Sequence, residues 1–329
     1  MSSRRRVIVT GGSGFIGTNL VELLINEGFD VLNIDINPPR NHGQIKSWIK
    51  LDILNLEKLS DVISKFSPNI IYHLAARTDL DGQSISAYDA NITGVENLIK
   101  AIAGNGTLQK IIFASSRLVC KVGHFPISME EYCPDTYYGR SKVKGELIVK
   151  SMSLQIPCPW VIVRPTSIWG PWFEVPYKNF FLSIYKKQYF HPTSMRIKKS
   201  FGFVGNTVHQ LRVLGVDYSA ANSKTIYLAD YDSIDVEEMA NIISLKFNAG
   251  TIANVPLCVL KSFAFLGDFL KKIGWKNPPL TTFRLSNLIT PMEYDLEPLR
   301  ALTGPLPYNL EQGVEITCKW LLTSEGKLE

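Results

Sequence analysis

Residues 6–17, Arg-Val-Ile-Val-Thr-Gly-Gly-Ser-Gly-Phe-Ile-Gly, read as a short β-branched strand that runs straight into a glycine-rich turn and then a helix. Strand, tight turn and helix in that order open a parallel α/β sheet. Gly11, Gly14 and Gly17 stand where a tight turn, a close approach to pyrophosphate and close helix packing would each exclude a Cβ. The helix that follows begins with Phe15 and Ile16, and its N-terminus offers unpaired N–H donors and a favourable dipole. The stretch therefore reads as a phosphate cradle. Since a glycine-rich turn can equally be a plain strand-to-helix connection, the reading depends on what surrounds it.

Working outward, candidate strands at residues 6–10, 30–35, 48–51, 70–73, 110–114 and 160–164 alternate with candidate helices at 15–26, 56–66, 85–103 and 137–153. Six strands separated by helices predict a doubly wound parallel sheet over residues 1–165. Beyond Pro165 the pattern changes to dense aromatics between Trp169 and Phe190, then to shorter elements. Residues 166–329 are therefore expected to form mainly a smaller substrate-binding region. Within it, residues 225–229 (TIYLA) read as a strand, so 200–230 is expected to return to the first sheet.

Composition bounds the function. With 45% hydrophobic and 20% charged residues, the 329-residue chain is neither disordered nor fibrous. Its 35 basic and 30 acidic residues leave a net charge of +5. The basic residues are scattered, which permits an anionic ligand and gives no support to nucleic-acid binding. Lys261 and Asp268 interrupt the apolar run 255–270, so no transmembrane segment is expected. Arg4, Arg5 and Arg6 precede only Val7 to Thr10 before the glycines, too short for a signal-peptide core, so a cytoplasmic protein is expected. Five cysteines (120, 133, 158, 258, 318) lack zinc-site or redox spacing, and His73 has no partners for a metal.

Asp35 ends the second candidate strand, where a carboxylate accepts hydrogen bonds from an adenosine ribose and repels a 2′-phosphate. NAD is thus the expected cofactor, with Arg40 the one feature that would suit NADP. Asp52, ending the third strand, suits an adenine amine or a plain helix cap. In Tyr137-Tyr138-Gly139-Arg140-Ser141-Lys142, Tyr138 lies four residues before Lys142, one helical turn away on the same face. A phenol near pKa 10 is a poor base at neutral pH unless a cation favours its anion, and Lys142 would supply that field. Ser115 and Ser116 end the fifth strand, at the sheet edge where such folds bind ligands.

Together these residues resemble the extended short-chain dehydrogenase/reductase family, especially its nucleotide-sugar epimerase and dehydratase branch. The matching stretches are T-G-G-S-G-F-I-G (10–17), Asp35, Y-H-L-A-A (72–76), N-I-T-G-V-E-N-L (91–98), F-A-S-S (113–116), Y-G-R-S-K (138–142) and R-P-T-S-I-W-G-P (164–171). The resemblance implies a Rossmann-type fold and a homodimer formed through the helices at 85–103 and 137–153. It makes Tyr138 the general acid/base, Lys142 the partner of the nicotinamide ribose and Ser116 the residue that positions the reacting hydroxyl. Ile53, Leu74, Ala75, Ala76, Asn91 and Pro165 would surround or support NAD. Ser167, Lys199 and Arg284 would meet a nucleotide-sugar substrate, the two cations holding its diphosphate.

Departures from that pattern narrow the function. Dehydratases of the branch look like T-D-E after the fifth strand, and here the triplet is Ser116-Arg117-Leu118. Val119-Cys120-Lys121 replaces the usual V-Y-G, and Lys199 and Asn206 stand where R-x-F-x-x-V-x-D has Arg and Asp. An NAD-dependent 4-epimerase is the leading expectation, with a 4-keto-sugar reductase as alternative. Residues 278–288 with Asn206 also resemble 3β-hydroxysteroid and sterol dehydrogenases, for which the aromatic segment and the run from Val255 would form an apolar pocket or membrane-facing surface. An NAD-sensing regulator without catalysis is a third expectation, opposed by the intact Ser116, Tyr138 and Lys142. The aromatics Trp169, Trp172, Phe173 and Tyr177 suit either ligand stacking or packing.

Overall fold

The computed structural model describes residues 4–193, 195–216, 222–275 and 280–324. Its first half contains strands β1 (Arg6–Thr10), β2 (Asp30–Asp35), β3 (Trp48–Lys50), β4 (Ile70–His73), β5 (Lys110–Ala114) and β6 (Trp160–Pro165). Between them run helices α1 (Phe15–Asn26), α2 (Leu56–Phe66), α3 (Thr93–Ile102) and α4 (Tyr137–Ser151). The second half adds short strands β7 (Ser167–Trp169), β8 (His191–Pro192), β9 (Lys198–Lys199) and β10 (Phe201–Phe203), then the longer β11 (Lys224–Leu228), with β12 (Ile234–Asp235) and β13 (Asn254–Val255) after it. Its helices are α5 (Tyr177–Tyr185), α6 (Val204–Val216), α7 (Val236–Phe247), α8 (Leu257–Lys272), α9 (Thr282–Ile289), α10 (Glu297–Thr303) and α11 (Leu310–Ser324).

Seven strands form one parallel sheet in the order β11-β6-β5-β4-β1-β2-β3. The strand order reverses between β1 and β4, which opens a crevice at their carboxyl ends. Alternation along each strand divides the core in two. Val7, Val9, Ile112, Val161 and Val163 point to the face covered by α1 and α6, whereas Ile8, Ile111, Phe113 and Ile162 point to the face covered by α2, α3 and α4. Burial on both faces explains why these strands are almost wholly apolar.

The helix expected over 85–103 is broken. Residues Ile85–Asn91 form a 3-10 segment with a non-helical Tyr88, and α3 starts only at Thr93. The cause lies in two side chains pulled out of register with a continuous helix. The Tyr88 hydroxyl donates to Asp79 O (2.9 Å) and accepts from Gly82 N (3.0 Å), while the Asn91 amide clamps both backbone groups of Arg77 (2.8 and 2.9 Å). The helix expected over 137–153 likewise stops at Ser151, and Ser153–Gln155 forms a separate 3-10 turn.

In the second half, β7 pairs with β10, β9 with β12 and β8 with β13. Leu260 and Ala264 of α8 pack on Leu285 of α9 as a separate small cluster. Pro278 and Pro279, quoted above for the sterol resemblance, lie outside the described residues. Among the described residues no helix is long and apolar enough to cross a membrane, and no group of His, Cys, Asp and Glu could hold a metal ion.

Candidate active site

The glycine turn is built to a tolerance that admits no side chain. Gly11 has φ +74°, and a Cβ there would lie 2.5 Å from the Ala75 backbone nitrogen in the loop after β4. At Gly17 a Cβ would run into Gly11 O, so α1 packs directly on the turn. Gly14 caps α1 without a side-chain hydrogen bond, which leaves the first-turn N–H groups of Phe15, Ile16 and Gly17 for a ligand. Asp35 closes the turn from β2, accepting from Ser13 N (3.1 Å) and Asn37 N (2.9 Å). Burial raises its carboxyl pKa, and those N–H bonds oppose the rise.

Arg40 donates to Ser13 O (3.0 Å) and Trp172 O (2.9 Å) and pairs with Glu174 (3.0 Å). Its guanidinium is already engaged, so it is not poised for a 2′-phosphate. Asp52 is exposed and caps its own turn through Leu54 N (2.9 Å), while Ile53 is buried and its carbonyl accepts from Asn97 (3.1 Å). Leu74 and Ala75 donate to the Thr10 backbone and side chain (2.9 and 3.4 Å), which ties the β4 loop to β1. Ala76 follows them, partly exposed. Asn91 spends its amide on Arg77 and on Ser141 of α4 (2.9 Å), so it braces this wall from behind. Pro165 ends β6 opposite Leu228. A turn without room for a Cβ, free helix N–H groups and a carboxylate at the end of β2 together fit a bound NAD.

Beside this crevice, Thr136 caps α4 through Gly139 N (3.0 Å) and sets the direction of the two tyrosines. Tyr137 faces outward under Arg140, whereas Tyr138 is only 7% exposed and lies beside Ser116 just past β5. Ser116 Oγ is held in turn by Leu118 N (3.1 Å). Lys142, one turn on, donates to Ala114 O (2.9 Å) at the end of β5, and its charge also reaches His73 at the end of β4. Tyr138 and Lys142 thus converge on the carboxyl ends of the strands that flank the crevice. Burial raises the Tyr138 pKa, and the nearby Ser116 hydroxyl and the Arg117 charge oppose that rise. Burial lowers Lys142 to about 8, which the nearby Glu146 charge partly offsets. Burial also keeps His73 neutral, at about 3. Cys120 has its thiol pushed up by burial and contacts Glu131 O (3.5 Å).

Arg117, absent from the residues singled out by sequence, is the cation that bears on Tyr138. It contacts Met292 Sδ (3.2 Å), and its charge bears on Tyr294 as well. Lys199 is buried, donates to Asn287 O of α9, and is lowered to about 8 by burial and by the like charge of Arg117. Among the described residues neither cation has a carboxylate partner. Arg284 sits on α9 one turn before Asn287, and Ser167 is buried in β7. Trp169 lies in the core between Phe181 and Phe203 (5.6 and 5.2 Å), and Phe173 packs there too. Trp172 stands against Trp320 and Tyr177 against Phe201.

A second residue missed by sequence is Glu146. It accepts from Arg164 through both oxygens (2.8 Å each), from Ser115 (2.5 Å) and from Tyr132 (2.9 Å). The ion pair is buried on both sides. Tyr138, Lys142 and Glu146 recur every four residues on one helix face. That spacing was the available signal.

A doubly wound sheet with a dinucleotide cradle and a Tyr/Lys helix beside its crevice defines the chain as a Rossmann-fold, NAD-dependent enzyme. It belongs to the NAD dependent epimerase/dehydratase family, whose model matches residues 7–188. It is similar to the N-acetyl-alpha-D-glucosaminyl-diphospho-ditrans,octacis-undecaprenol 4-epimerase of Escherichia coli O157:H7, 24% identical over 324 residues, 95% of this chain and 94% of that protein. It is also similar to a 3-beta-hydroxysteroid dehydrogenase of Mycolicibacterium neoaurum, 26% identical over 71% of this chain and 68% of that one. In fold it resembles the UDP-glucose 4-epimerase of Thermotoga maritima (TM-score 0.74, 16% identity, 97% and 99% of the two chains). The UDP-glucuronic acid 4-epimerase of Bacillus cereus, solved with NAD, matches similarly (TM-score 0.73, 18% identity, 96% and 98%).

Proposed function

We propose that the protein is an NAD-dependent 4-epimerase of a nucleotide sugar. The observation that carries this reading is the burial of Tyr138 beside Ser116 at the end of β5, next to a cradle that fits NAD and where the acidic pair of a dehydratase is replaced by Arg117 and Leu118. Ser116 orients the sugar hydroxyl and Tyr138, as phenolate, takes its proton and later returns it. Arg117 favours the phenolate by its charge, and Lys142 holds the nicotinamide ribose. When bound, NAD supplies a reversible hydride sink, so the carbinol carbon is oxidised to a ketone and reduced from its other face without net redox change. Lys199, Arg117 and Arg284 meet the diphosphate, with Ser167 beside the sugar.

The buried Lys199 and the half-buried Arg117 oppose an apolar sterol as substrate, since a steroid alcohol would desolvate them without supplying a counter-charge. A reductase would share the whole site and differ in exchanging its cofactor each turnover. The deciding experiment is mass spectrometry of ligands released from the purified protein, then turnover of UDP-, GDP-, CDP- and dTDP-sugars. Retained NAD with an isomerised sugar supports the epimerase. Stoichiometric NADH consumption makes it a reductase, and NAD reduction by a steroid alcohol alone moves it to the sterol class. We further propose cytoplasmic action as a homodimer through the 3-10 segment, α3 and α4, with half-exposed Leu147 in the contact. Monomers on size exclusion would exclude that dimer.

A further inference from the structure

Helix α8 has two apolar faces and only one of them is used. Leu260, Ala264 and Gly267 are buried toward α9. On the other side Val259, Phe263, Phe265, Leu266 and Phe269 are exposed, and Ile273 and Trp275 extend the surface beyond the helix end. The exposures of Phe265 (76%), Ile273 (65%) and Phe263 (59%) are far above those of core residues. At 100° per residue the exposed apolar side chains sweep an arc of roughly 160° opposite the buried stripe. So wide an apolar surface on one helix marks an interaction site.

The charges around that arc say what covers it. Lys261 and Lys272 border one edge of the arc and are exposed, and among the described residues neither has a carboxylate within ion-pair distance. Asp268, the acidic residue of the helix, is turned to α9, where it accepts from Thr282 N (3.3 Å). Aromatic and aliphatic side chains flanked by unpaired lysines are the composition of a helix lying in a bilayer interface, the rings among the acyl chains and the ammonium groups reaching to phosphates. A second copy packed antiparallel on this face would set Lys261 against Lys272, like charge against like.

We propose that α8 docks the protein onto the surface of an anionic lipid bilayer. The docking face shares α9 with the substrate side of the site, because Leu285 of α9 supports α8 while Asn287 of α9 holds Lys199. The membrane therefore lies one helix away from the cation pair.

Flotation with phosphatidylcholine vesicles, with and without phosphatidylglycerol, tests the proposal on the full chain. Wild-type protein should float with the phosphatidylglycerol vesicles and lose binding in high salt. Phe265→Ser with Phe269→Ser, and separately Lys261→Glu with Lys272→Glu, should each weaken partitioning by at least about tenfold. Because all four side chains are exposed, NAD content and circular dichroism should stay as in wild type. The proposal fails if wild type does not float, or if the double Phe variant floats equally well. It also fails if that variant converts a wild-type dimer to monomer, which would make a second copy the occupant.

Discussion

On the cofactor side of the crevice, Gly11, Asp35 and Ala75 stand at or just beyond the ends of neighbouring strands of one sheet, and much of the surface is backbone. On the substrate side, Arg117 meets Met292 across 175 residues of sequence, and Lys199 reaches a carbonyl on α9. The first surface is fixed by hydrogen-bonded strands and leaves no room for a Cβ at Gly11 or Gly17. The second is held by side chains from short elements, whose charges can be exchanged without rebuilding the sheet. A fold arranged this way keeps one cofactor and varies its substrate.

The comparison can be tested from its most demanding point downward. Replacing Tyr138 by Phe should lower kcat by about a thousandfold while the protein still carries NAD, as checked by turnover and by the nucleotide released on denaturation. Normal turnover would remove the phenol from the chemistry. Glu146→Ala strands Arg164 without its partner and should destabilise the protein by about 3–5 kcal/mol in urea unfolding, with the Glu146→Gln/Arg164→Met double variant milder. Gly11→Ala forces a Cβ against Ala75 at a positive φ, so a loss of about 1–3 kcal/mol and of bound NAD is expected. Retention of NAD there would break the claim that the backbone sets the cofactor side.

The mildest test falls on the substrate side. Since burial lowers Lys199 to about 8, its charge is present below that pH and disappears as pH rises through it. KM for an anionic sugar nucleotide should therefore rise by up to about tenfold between about pH 7 and pH 9. Lys199→Arg, which stays charged, should flatten that rise with little change near neutrality. A wild-type KM that ignores pH would separate Lys199 from the anion.

The sheet was readable because each of its strands announces itself locally, as apolar runs bounded by turns. The crevice residues followed from the same positions, since a strand end is a place in the sequence as well as in the fold. What escaped was set by tertiary contact. The break before α3 depends on Asn91 reaching Arg77, and nothing between residues 85 and 103 encodes it. Arg117 read only as a missing acid, because its neighbours Met292, Tyr294 and Lys199 arrive from the other end of the chain. Glu146 carried a signal in its four-residue spacing, yet a glutamate on a helix is ordinarily solvated, and only burial beside Arg164 distinguishes it.

The last strand of the sheet also governs the order in which the protein can be assembled. β11 lies next to β6 but is encoded some sixty residues later, after β7, α5 and α6. Until Leu228 has left the ribosome, one flank of the nascent sheet is an open row of amide and carbonyl groups, available to any other extended chain. A fragment cut at residue 165 would leave β6, a strand buried along almost its whole length, as the edge of the sheet, so it is expected to aggregate more readily than a fragment that runs to residue 228.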